Sequence, residues 1–210
     1  EDEPRSVEIT LNGQQFSSSG VEYTYRNPPS VSASCPTCGP VGGDTSVVIF
    51  GSRFQDGLSY LCRFGDAAAN ATYVDSEHLA CSPPANTASV CALEISVDAS
   101  NFTSDALPFT HYVEPSVHGL SPTGGPLRGG TVVVVAGFAF ASGSDYRCRF
   151  GQRVVRAALE SDGNLTCTSP AQDAMGDLGV EVTLNGQQYS RSAVAFAYHA
   201  PEAVVRLSPS

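Results

Sequence analysis

The chain has 210 residues, 41% of them hydrophobic, enough for one or two ordinary globular cores and too much for a disordered tail. Its 21 acidic residues face 11 basic ones, all arginine, for a net charge of −10, a balance that repels phosphate backbones and anionic bilayers. No run approaches the roughly 18 apolar residues of a membrane span, so neither a nucleic-acid partner nor membrane insertion of this segment is expected.

Taken in chain order, Glu1-Asp2-Glu3 reads as solvated surface and lacks the basic-then-apolar plan of a secretory leader. VEITLNGQQFS follows at 7–17 and returns as VEVTLNGQQYS at 180–190. There Val180, Val182 and Leu184 alternate with Glu181 and Thr183, a period-2 pattern that predicts a strand with one face in a core. Asn185-Gly186 predicts a two-residue hairpin turn with positive φ at both positions, returning through Val194, Phe196 and Tyr198. LEISVDASNFT at 93–103 is a diverged copy in which Asp98-Ala99 predicts a looser or different turn.

These copies lie inside a longer repeat. PSVSASCPTCGPVGGDTSVVIFGSRF from Pro29 sets against PSVHGLSPTGGPLRGGTVVVVAGFAF from Pro115, and Cys62 and Cys81 against Cys148 and Cys167, always 86 positions apart (115 − 29). The expected organisation is residues 1–28 as the last strands of a preceding repeat, complete repeats at 29–114 and 115–200, and 201–210 as the start of another repeat or a linker. Short strands separated by turn residues, without sustained helical period, predict antiparallel sandwiches. The β-branched runs closing on Gly51 and Gly137 read as inner strands with a bend or bulge at the glycine. Prolines in Arg26-Asn27-Pro28-Pro29 and Val113-Glu114-Pro115 restrict hinge freedom between repeats.

The ordered set P-x-V, GP-x-x-GGT, G-x-x-F, C-R-F-G, a second cysteine near SP, V-x-V-x-x-NG and F-x-Y resembles the IPT/TIG domain, an immunoglobulin-like fold of plexins, scatter-factor receptors, fibrocystin-like surface proteins and some transcription factors. Its fullest copy carries Gly125, Pro126, Gly129, Gly130, Thr131, Gly137, Phe140, Cys148, Phe150, Gly151, Cys167, Asn185, Gly186, Phe196 and Tyr198. The resemblance implies an all-β fold of tandem early-set Ig-like sandwiches in an elongated array. It also implies a disulfide within each domain, Cys62–Cys81 and Cys148–Cys167; buried free thiols of a reducing compartment are the competing reading.

Cys35-Pro36-Thr37-Cys38 has no βαβ setting for redox chemistry and no second C-x-x-C for zinc. In an Ig-like topology one of its cysteines can reach Cys91, read as a loop residue; Cys38 is the preferred partner, leaving Cys35 as a free or intermolecular thiol. GGPLRGGT at 124–131 lacks a Gly-Lys-Ser/Thr ending and precedes a strand, so its glycines shape strand entry. His78, His111, His118 and His199 have no metal-ligand spacing, and no catalytic motif, cofactor site or metal site is expected. Asn70, Asn101 and Asn164 are N-glycosylation acceptors if the chain is secreted, as its seven cysteines suggest.

The expectation is a non-catalytic extracellular or cell-surface array. It would be a spacer, scaffold or adhesive module with protein partners, homotypic or filament-forming ones included, suited to a surface filament or to a ciliary or gamete-surface adhesin. The alternatives are a ligand-binding ectodomain segment of a plexin-like receptor, or accessory domains of a carbohydrate-active enzyme.

Overall fold

The computed structural model describes residues 4–25 and 27–200, and every regular element among them is a β-strand. Arg26 of the first linker and the expected continuation at 201–210 lie outside the described residues.

A hairpin of β1 (Pro4–Ser6) and β2 (Glu22–Thr24) comes first. One eight-stranded unit follows: β3 (Ser30–Cys35), β4 (Cys38–Pro40), β5 (Val47–Ser52), β6 (Tyr60–Phe64), β7 (Ala67–Asp75), β8 (His78–Cys81), β9 (Ser89–Ser96) and β10 (Leu107–Tyr112). The second comprises β11 (Ser116–Ser121), β12 (Gly124–Pro126), β13 (Val132–Phe138), β14 (Arg147–Phe150), β15 (Arg153–Leu159), β16 (Leu165–Thr168), β17 (Gly176–Thr183) and β18 (Val194–His199). The strand orders, β3-β5-β8-β7-β6-β9-β10-β4 and β11-β13-β16-β15-β14-β17-β18-β12, are the same topology written twice. All neighbours are antiparallel except β4 with β10 and β12 with β18. One long strand carries each sheet from layer to layer: β7 pairs with β6 through Ala67–Ala71 and with β8 through Ala71–Asp75, and β15 divides likewise between β14 and β16.

Alternation along the strands builds each core. Val180, Val182 and Leu184 are 0% exposed, as are Leu93 and Ile95 in the first unit. Edge-to-face pairs pack across the middle strand of one layer, Phe150 on Phe196 at 5.3 Å between centroids and Phe64 on Phe109 at 4.9 Å, each worth about 0.5–1.5 kcal/mol beyond the area buried. The G-x-x-F motif has a reason other than the expected bend. A β-carbon on Gly137 would overlap the Phe140 ring and the Ser116 carbonyl, and one on Gly51 the Phe54 ring and the Ser30 carbonyl. The bulges fall on the facing strands, between Val117 and Gly119 and between Val31 and Ala33. The glycine makes room for a buried phenylalanine.

The hairpin turns also differ from expectation. Thr183 bridges Tyr189 across five intervening residues, and only Gly186 takes positive φ, at 76°. Asn185 closes the loop with its side chain, its Oδ1 accepting the Gln187 and Gln188 amides at 3.0 and 3.2 Å and the Thr183 hydroxyl at 3.2 Å. The Asp98 turn is the same loop, Oδ1 accepting Ser100 and Asn101 amides at 2.9 and 2.7 Å and the Ser96 hydroxyl at 2.9 Å, with Ala99 at φ 60°. An acidic side chain supplies the same acceptor, so the middle copy is neither looser nor of another type.

Residues 4–25 repeat this hairpin with its apolar face open. Leu11 is fully exposed and Ile9 70% exposed, where their counterparts Leu184 and Val182 are sealed.

Candidate functional site

The two sandwiches meet where the Asn185–Gln188 turn rests on the segment joining β4 to β5. Gln187 lies against Ser46 like a strand neighbour: its Oε1 accepts the Ser46 amide at 2.9 Å and its Nε2 donates to the Ser46 carbonyl at 2.8 Å. Gln188 Nε2 donates to the Asp44 carbonyl at 2.9 Å, and its Oε1 accepts the Thr45 hydroxyl at 3.2 Å and Asn185 Nδ2 at 2.6 Å. Asn185 Nδ2 also reaches the Cys38 carbonyl at 3.3 Å and Thr45 Oγ1 at 3.4 Å. Asn185 thus has two tasks: its oxygen folds the turn and its nitrogen holds the neighbouring unit. Thr45 is 0% and Asn185 4% exposed, so these two side chains are removed from water and bonded within the joint, while Gln187 and Ser46 remain exposed.

An apolar contact lies beside the amides. Cys38 and Tyr112, both from the first unit, belong to the hydrophobic cluster of the second, with Cys38 beside Leu184. Cys38 Sγ sits 3.2 Å from the Ser144 hydroxyl and 3.8 Å from the Leu184 carbonyl. Burial pushes the Cys38 thiol above its ordinary range, against the smaller opposing effect of Ser144, and burial likewise raises the Tyr112 phenol. Asp145, beside this seam, is held low by hydrogen bonds from Arg147 at 3.0 and 3.1 Å. A cavity of about 610 Å³ opens along the seam between Cys35, Pro36 and Ser46 of one unit and Asp145, Arg147 and Gly186 of the other.

The remaining cysteines divide. Cys62 and Cys81 are joined, with Cα atoms 6.7 Å apart. Cys148 and Cys167 occupy the matching places as two buried thiols in hydrogen-bond contact, which together with burial drives the Cys148 thiol far above its usual range. The bridge expected between Cys38 and Cys91 is not formed. Cys91 lies inside β9 opposite Phe109, Cys38 lies in β4 opposite Thr110, and β10 separates them. Two strand spacings of about 4.8 Å each exceed the roughly 7 Å reach of a disulfide. Cys35 is exposed. Cys91 Sγ faces the Phe109 carbonyl at 3.6 Å and His111 Nδ1 at 3.8 Å, and burial lowers the basicity of His111.

Asn70 stands exposed on β7 and Asn101 exposed in the Asp98 turn, while half-buried Asn164 donates to Asp162 at 2.8 Å. Among the described residues no three His, Cys, Asp or Glu side chains gather to hold a metal. Gln187 and Gln188 carry the joint, yet sequence reading assigned them nothing; the available signal was their exact repetition at 14 and 15, which strand formation does not require.

Comparison with known proteins agrees with this architecture. Human plexin-A4 is 23% identical over 191 residues, 86% of this chain and 10% of its own length. Mouse fibrocystin-L is 30% identical over 175 residues, 81% of this chain and 4% of its own. The chain therefore spans a tenth or less of these relatives. The solved plexin A4 full extracellular region superimposes with a TM-score of 0.59 over 86% of this chain and 17% of that one at 16% identity, a likeness of fold. The IPT/TIG domain family matches residues 29–111 and 115–198, and the chain belongs to that family, two Ig-like modules in tandem.

Proposed function

We propose that this chain is a non-catalytic segment of an extracellular or cell-surface protein, in which IPT/TIG modules stacked end to end form a spacer or scaffold and offer their surfaces to protein partners. One observation carries the reading: the Asn185–Gln188 turn and the buried Cys38 and Tyr112 tie one module to the next through bonds and packing that cross between the sandwiches. A joint of this kind fixes the angle between modules, which a spacer needs and a flexible tether does not. Small-angle scattering of the dilute chain tests it. A rigid two-module particle gives one fixed interdomain distance, whereas a broad distribution that ignores changes at Asn185 would sink the spacer reading.

The extracellular assignment rests on the cysteines and the relatives. Oxidation would join Cys148 to Cys167 as Cys62 is joined to Cys81, closing matching loops, each worth about 3 kcal/mol. Glycan at Asn70 and Asn101, both exposed, fits the same compartment. Peptide mass mapping with and without reduction, on chain secreted from eukaryotic cells, should find both bridges and at least one glycan. Free Cys148 and Cys167 in that material would overturn the assignment.

A further inference from the structure

Strand for strand the two modules match, and inside the first there is one place where it departs from the second twice. Cys91 faces Phe109 across β9 and β10 where Leu178 faces Phe196 across β17 and β18. His111 faces Gly39 across β10 and β4 where Tyr198 faces Gly125 across β18 and β12. The rings are placed alike, His111 5.1 Å from Phe109 and Tyr198 5.1 Å from Phe196. A leucine and a tyrosine of one module are therefore a thiol and an imidazole in the other.

Core packing does not account for the exchange. Tyr198 donates its hydroxyl to the Pro170 carbonyl at 3.0 Å. His111 is 1% exposed and its Nε2 has no hydrogen-bond partner among the described residues, an unpaired buried group that folding alone disfavours. The other ring nitrogen faces the sulfur, with Cys91 Sγ 3.8 Å from His111 Nδ1 and 3.6 Å from the Phe109 carbonyl. That gap is under the roughly 4.3 Å sum of metal–sulfur and metal–nitrogen bonds of about 2.3 and 2.0 Å, so one ion can bond both atoms. Cys91 is only partly buried, which gives an ion access from solvent.

Charge and softness select the ion. Burial raises the Cys91 thiol and lowers the basicity of His111, so the resting pair is neutral. Among the described residues no third His, Cys, Asp or Glu joins them. A divalent ion on one thiolate and one neutral imidazole would leave an uncompensated charge beside the core of Phe64 and Phe109, whereas a monovalent ion leaves none. Thiolate sulfur also favours soft cations.

We propose that Cys91 and His111 form a two-ligand site for a soft monovalent cation of the copper(I) or silver(I) class. On binding, the Cys91 S–H bond breaks as the sulfur–metal bond forms, the proton leaves to water, and His111 Nδ1 donates its lone pair; nothing is oxidised or reduced. The site lies within one complete module, so it stands apart from the spacer reading. Sequence spacing hides it, because its two ligands are 20 positions apart on neighbouring strands.

The test titrates silver ion, in chloride-free buffer, into the secreted chain carrying Cys35→Ser, which removes the exposed thiol. Nitrogen NMR of the histidine rings should show one equivalent binding with a large shift at His111 Nδ1, while His78, His118 and His199 stay in place. Cys91→Leu and His111→Tyr each copy the residue of the second module and so suit the fold. Each should lower affinity, measured against a competing chelator, roughly a hundredfold or more, beyond the tenfold-to-hundredfold loss usual for an outer-shell partner. A first equivalent that leaves the His111 ring unmoved would overturn the proposal without recourse to any variant at the pair. Affinity kept in either Cys91→Leu or His111→Tyr would overturn it as well.

Discussion

The Asn185 turn and the Asp98 turn are the same loop on corresponding poles of the two modules, and they turn different atoms outward. Both close through a side-chain oxygen that accepts two amides and a hydroxyl. They differ in the second atom of the same side chain. Asn185 presents an NH2 group that reaches Cys38 and Thr45, whereas Asp98 presents an oxygen that accepts from Asn101 Nδ2 at 2.8 Å. Beyond it lies a cavity of about 470 Å³ lined by Asn27, Pro28, Asn101 and Asp105. Folding a module and joining modules are therefore separate demands on one residue, and at position 185 the amide meets both.

That contrast can be broken most forcefully with Asn185→Asp. The turn should survive, as in its counterpart, but an unpaired carboxylate would be buried against carbonyls at a position 4% exposed, costing the joint about 3–5 kcal/mol. Hydrogen exchange at Ser46 should accelerate strongly while the β17 amides stay protected; equal protection at Ser46 would refute the assignment. Gln187→Ala comes next. It removes the two bonds to the Ser46 backbone from a partly solvated position and should cost about 1 kcal/mol, read as partial loosening by the same exchange measurement.

Acid should separate the two poles. Hydrogen bonds from the Asn101 backbone and side chain, then from Ser100 and Ser96, hold the Asp98 carboxyl far below its ordinary value of 3.8. Because the folded pKa is depressed, its contribution to stability is complete above that ordinary value and is lost as pH falls through the lowered one. Amides 100 and 101 should thus lose protection at strongly acidic pH while amides 187 and 188, bonded to an asparagine, keep theirs; parallel behaviour would refute this. The smallest effect is expected from Asp98→Asn, which should remove the acid sensitivity and leave the neutral-pH denaturant midpoint nearly unchanged, checked by denaturant titration.

The architecture was readable where residues answer to their own neighbours. The alternation of Val180, Val182 and Leu184, the glycine-to-phenylalanine spacing at Gly137 and Phe140, and the constant offset of the cysteines each reflect a local demand of a sandwich. The Asn-Gly turn was misread because the dipeptide rule considers φ alone, whereas the Asn185 side chain folds five residues through amide bonds. Cys38 was misread because a cysteine in a loop suggests another cysteine, and no local pattern reports that its neighbours are Ser144 and Leu184.

By itself the sequence determined that there are two like modules and which alternating residues face each core, since these depend on periodicity and on contacts repeated in both copies. Tertiary structure alone decided that Gln187 pairs with Ser46, that Cys38 and Tyr112 belong to the core of the following module and that Cys91 is beyond the reach of Cys38. Those contacts link residues far apart in the chain, and for Cys38 and Tyr112 their energy depends on water being excluded from both partners at once, which no single stretch of sequence encodes.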